Sequence, residues 1–120
     1  MAERFDSIAN FIVRKMRFGS LRARVGLTAR YHEPVYNMKH VERALVDSGL
    51  GHHYGKLHRY LGTDGKLLSG DQDAKVTNSY RIWVKQSDIS QALEHFSIPI
   101  DIGQLEEKMD EIDRNEMPTP

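Results

Sequence analysis

The segment Leu21-Arg22-Ala23-Arg24-Val25-Gly26-Leu27-Thr28-Ala29-Arg30-Tyr31-His32 alternates apolar and polar residues without a break. Leu21, Ala23, Val25, Leu27, Ala29 and Tyr31 make one set; Arg22, Arg24, Gly26, Thr28, Arg30 and His32 make the other. A period of two marks an extended chain with one face on a core. The pattern therefore predicts a β-strand of about 40 Å, bent or bulged at Gly26 and ended by Pro34. On that reading Leu21, Ala23, Val25, Leu27 and Ala29 are buried, and Arg22, Arg24, Arg30 and His32 share one solvent-facing side.

The surroundings of this segment are basic. No acidic residue lies between Asp6 and Glu33, a span that holds Arg14, Lys15, Arg17, Arg22, Arg24 and Arg30, with His32 at its end. Arginine suits phosphate because its planar fork donates two parallel hydrogen bonds to two oxygens. Like charges at this density repel, so an anionic ligand or an acidic part of the same chain has to offset them. A solvated sheet face with acidic residues on a neighbouring strand is the plainer alternative.

Outside this tract the charge is split. The chain has 120 residues and a formal net charge of zero. Residues 1–100 carry fifteen Lys/Arg and ten Asp/Glu, whereas residues 101–120 carry two and seven. A neutral total is thus no argument against an anionic partner. The length is that of one domain. There is no cysteine, which excludes disulfides and thiolate metal sites. No apolar run approaches the roughly 20 residues that span a bilayer. The start Met1-Ala2-Glu3-Arg4-Phe5-Asp6 lacks the basic and apolar regions of a secretory signal. A cytoplasmic protein without a membrane partner is expected.

The remaining elements follow from periodicity and punctuation. Phe5, Ile8, Ala9, Ile12 and Met16 make a helical stripe, with Gly19 as its stop. Asn37 is an N-cap for a second helix with Met38, Val41, Ala44 and Leu45 inward, Lys39, His40, Glu42 and Arg43 outward, and Gly49 as its end. Residues 52–61 carry both periods; Tyr54, Leu57, His58 and Leu61 favour a helix. Asp64-Gly65 is a turn and residues 69–78 a polar loop. Ser79 to Lys85 reads as a strand with Trp83 in the core. Ser87 caps a helix running to Phe96, and Pro99 breaks it. The acidic tail from Asp101 to Glu116 is a helix with a seam of Ile102, Leu105, Met109 and Ile112. That seam packs on the body, or on a second copy to make a homodimer.

These elements predict an α+β domain over residues 1–100 followed by an acidic helix and tail over 101–120. Two arrangements satisfy the order. One resembles a winged-helix domain, with residues 38–48 and 52–61 as the helix-turn-helix and 66–85 as the wing carrying Lys75. The other is an antiparallel sheet of residues 21–32 and 79–85 with helices packed on one face.

Chemistry is sparse. His52, His53 and His58 invite a metal or acid–base reading, but adjacent histidines rarely share a metal and no HExxH pairing is present. Gly49, Gly51 and Gly55 lack the dinucleotide-binding spacing. Tyr54 and Tyr60 flank Lys56 and Arg59, and exposed aromatics beside cations stack bases. No catalytic residue, metal site or cofactor is expected. The expected function is a small non-enzymatic regulator that binds DNA or RNA through Arg14, Lys15, Arg17, Arg22, Arg24, Arg30, His32, Lys56, His58 and Arg59. The alternatives are a protein-interaction or inhibitor module, of the kind small viral accessory proteins provide, and a histidine-dependent nuclease.

Overall fold

In the computed structural model, residues 18, 19, 21–69 and 82–116 are described. The order is α1 (Leu21–Tyr31), β1 (Val35–Asn37), α2 (Met38–Asp47), a 3-10 turn (Gly51–His53), α3 (Tyr54–Thr63), β2 (Leu67–Ser69), β3 (Ile82–Lys85), α4 (Gln86–His95) and α5 (Ile102–Glu116). The expected first helix lies outside the described residues, as do Arg14, Lys15, Arg17 and Lys75.

The alternating segment is a helix, not a strand. Leu, Ala and Arg dominate it, and all three are strong helix formers; only Val25 and Thr28 are β-branched. Its buried stripe runs at a spacing of four, through Ala23, Leu27 and Tyr31. Leu21 and Val25, expected inside, are 42% and 59% exposed. Arg22, Arg24 and Arg30 are exposed as expected, but a helix turns about 100° per residue, so they point in three directions and form no common face. His32 terminates α1 in the left-handed region at φ 57°. Its amide donates to Thr28 O at 2.9 Å.

The strands are short and antiparallel, in the order β1-β3-β2. Tyr36 pairs with Val84, and Leu68 and Asn37 flank Trp83. The middle strand is buried on both sides. Val84 points into the main helical core with Leu45, Leu57, Ile89 and Leu105. Trp83 points the other way, into a second cluster with Val35 and Leu27, so α1 covers the sheet face opposite the main core. Gly19 completes that cluster. Its φ is +99°, and a Cβ there would lie 2.5 Å from Trp83 Cζ2, so no side chain fits.

The protein is thus a small α+β domain, in which helix, strand and two helices are followed by the antiparallel pair β2 and β3 and then by α4 and α5. Asn37 caps α2 as expected, accepting from the Lys39 amide at 3.0 Å. α4 starts two residues early, at Gln86, and its N-terminus is capped differently. Glu33, fifty-four residues back, accepts the Ser87 amide at 2.9 Å where Ser87 was expected to act as the cap. His40, expected to face water, is buried instead. Its Nε2 donates to Met109 O at 3.0 Å and sits 3.2 Å from Asp113 Oδ1, while its ring stacks on Phe18 at 4.4 Å. Among the described residues no helix is long and apolar enough to cross a membrane.

α5 packs on the body. Asp101 and Gln104 cap it reciprocally, each side chain accepting the other's amide at 2.8–3.0 Å. Leu105, Met109 and Ile112 are buried against the helical core. The seam expected to serve the body or a second copy is spent within the chain. Burying three such side chains contributes about 5–9 kcal/mol, comparable to the whole stability of a domain. A chain truncated after Ile100 should therefore lose its cooperative thermal unfolding transition, which circular dichroism would detect; a truncated form melting like the full chain would contradict this.

Glu33 supplies a second test. The Ser87 amide, with the Ser87 side chain and Lys85 adding to it, holds the Glu33 carboxyl below its ordinary value of 4.5. A depressed carboxyl pKa stabilises the fold above the unfolded value, and the contribution is lost as pH falls through the folded one. Glu33→Gln should lower the melting temperature at pH 7 by a few degrees, and the gap to the unsubstituted protein should close as pH falls below 4.5.

Candidate nucleic-acid interface

Two places gather polar side chains. The first is the outer face of α3. Leu57 and Leu61 anchor this helix in the core, and their spacing turns Lys56, Arg59, Gly62 and Thr63 to solvent. No acidic residue occurs from Ser48 to Thr63. The acids just before it are engaged on α2, where Glu42 pairs with Lys39 at 3.0 Å and Asp47 with Arg43 at 3.1 Å. α3 is also the second helix of the α2–α3 pair, joined through Gly49 at φ +75° and the 3-10 turn.

Aromatic rings frame both flanks of this face. On one side Tyr60 stacks on His95 of α4, with centroids 4.4 Å apart and planes 19° from parallel. Phe96 stands edge-on to both rings, and Lys56 Nζ lies 5.3 Å from the Phe96 centroid, a cation–π contact. On the other side half-buried His58 leans on Tyr54 at 5.8 Å. His58 therefore belongs to a flank and not to the crest with Lys56 and Arg59. Burial, with the Glu42 charge adding to it, pushes the Tyr54 phenol up to about 12. Burial also pulls the His53 imidazole below its ordinary value, helped by neighbouring Lys56 and His52.

The second place is a cleft between α1, β1 and α5, lined by Arg24, Tyr36, His40, Glu106, Asp110 and Asp113. Arg24 of the basic tract thus faces the acidic helix. Tyr36 OH donates to Glu106 Oε1, and Gln86 Nε2 donates to the Tyr36 oxygen at 3.0 Å. Burial raises the Tyr36 phenol well above its ordinary value, and its hydrogen bond to Glu106 raises it further. This knot ties β1, α4 and α5 together.

Of the expected site residues, the structure brings Lys56 and Arg59 together, places Arg22, Arg24, Arg30 and His32 apart from one another on and after α1, and sets His58 to one side. The stack of Tyr60 on His95 joins two helices thirty-five residues apart in sequence. Among the described residues no group of three or more His, Asp or Glu is placed to hold a metal ion. No protein-family model, no curated protein and no solved structure matches the chain.

The Tyr36 knot is testable. Tyr36→Phe keeps the ring, which is buried, and removes the hydroxyl between Glu106 and Gln86. The substitution should cost about 1 kcal/mol of unfolding free energy in urea, with an unchanged denaturant slope.

Proposed function

We propose that the protein is a small non-enzymatic regulator that binds nucleic acid through the outer face of α3. The observation that carries this reading is the acid-free run Ser48–Thr63, which presents Lys56 and Arg59 at the surface of the second helix of a helical pair. Phosphate recognition needs exposed cations on a rigid element, and α3 supplies them, with exposed Asp64 at its C-terminal cap as the first carboxylate beyond the run. Lys66, exposed in the turn that leads into β2, extends the same charge toward the β2–β3 pair. α1 contributes less than its composition suggested, since Arg22 and Arg30 diverge and Arg24 faces α5.

A protein-interaction reading rests on a different surface. Leu21 and Val25 lie one turn apart on α1 and are both exposed. An apolar contact there would be insensitive to salt, which separates the two readings.

The test is a mobility-shift titration with duplex DNA, single-stranded DNA and RNA over a range of salt. If Lys56, Arg59 and Lys66 each meet one phosphate, log affinity for duplex should fall against log salt with a slope of about −2.7. Arg59→Ala should make the slope shallower by about one and weaken unrelated sequences alike. Failure to shift any of the three polymers at low salt would remove this reading.

A further inference from the structure

Tyr60 and Phe96 pack on the edge of the main core, and His95 stacks outside it. Tyr60 and His95 lie outside the set of buried residues, and His95 is exposed even though one of its faces rests on Tyr60. Phe96, edge-on at 4.8 Å, braces the imidazole from the side. A ring held in this way, with its second face toward solvent, continues a stack at little entropic cost, because its orientation is already fixed. Lys56 stands one helical turn before Tyr60, about 6 Å along the axis, and Arg59 directly precedes it. A stacking surface beside exposed cations suits one class of ligand: an unpaired base still attached to its phosphate backbone. In a duplex the base faces are already stacked on their neighbours and cannot reach such a surface.

We infer that His95, backed by Tyr60 and Phe96, is a base-stacking platform, and that the α3 face binds single-stranded nucleic acid in preference to duplex. The inference rests on the nucleic-acid reading of α3 and goes beyond it by naming the form of the polymer and the ring that receives the base. Glu94, exposed and next to His95 on α4, marks the acidic limit of the platform.

The experiment compares affinities of the full chain for a short oligothymidine, an oligouridine, a duplex of equal length, and an abasic strand that keeps the phosphates and lacks the bases. The single strands should bind more tightly than the duplex, and the abasic strand should bind more weakly than either single strand. His95→Ala should weaken single-strand binding about tenfold, while changing duplex and abasic binding by less than twofold. His95→Phe should restore it, because stacking needs the ring and not the proton. Thermal melting of each variant checks the fold. Equal effects of oligothymidine and oligouridine would assign recognition to the base and phosphate alone; preference for the latter would add the ribose hydroxyl, and both outcomes keep the platform. If Arg59→Ala weakens binding while His95→Ala leaves single-strand affinity unchanged, the platform is wrong and the nucleic-acid reading stands. If no polymer binds, both fall together.

Discussion

β3 is buried on both of its faces, and the rest of the molecule is arranged to make that possible. Four residues carry the whole central strand. Val84 needs a helical layer on one side, which α2, α3, α4 and α5 supply; Trp83 needs cover on the other, which α1, Val35 and Gly19 supply. A strand this short gains little from its ladder hydrogen bonds. Its position is set by the side chains it sends in opposite directions. The knot of Tyr36, Gln86 and Glu106 then fixes how the sheet meets α4 and α5. The helical pair α2–α3 is held by the same core, and that is what gives the outer face of α3 a rigid base.

The legible parts of this fold were those decided within a dozen residues. Asn37 as a cap, the stripe of α2, the helical spacing of Leu57 and Leu61, Trp83 in the core and the seam of α5 were all visible locally. The alternating segment was misleading because two signals disagreed. Its period of two is real, but it is built from helix formers, and a stripe at a spacing of four, Ala23-Leu27-Tyr31, lies inside the same letters. Propensity and the need to cover Trp83 outweighed alternation. His40 sits on the flank of an apolar stripe, and its partners Met109 and Asp113 come from a helix about seventy residues away. Nothing near His40 announces them. The cap that Glu33 gives Ser87 was hidden for the same reason.

The candidate site divides in the same way. Lys56 and Arg59 were readable as a basic pair on one helix, since both the helix and its buried side could be inferred from Leu57 and Leu61. The ring of His95 on Tyr60 was not, because it exists only where α3 packs on α4. Counting arginines overstated α1 by treating composition as geometry. Charge acts from where it is placed, and Arg24 opens onto a cleft that it shares with Glu106, Asp110 and Asp113 of its own chain.

Trp83 has one more consequence. It is the single tryptophan of the chain, and it is 1% exposed at the meeting point of α1, β1 and the β2–β3 pair. Intrinsic emission on excitation of indole therefore comes from one known location. Loss of α1 from the sheet would admit water to that ring and shift its emission to the red, even with the helical core intact. The protein carries its own optical reporter of whether the two halves of its interior part together or in sequence.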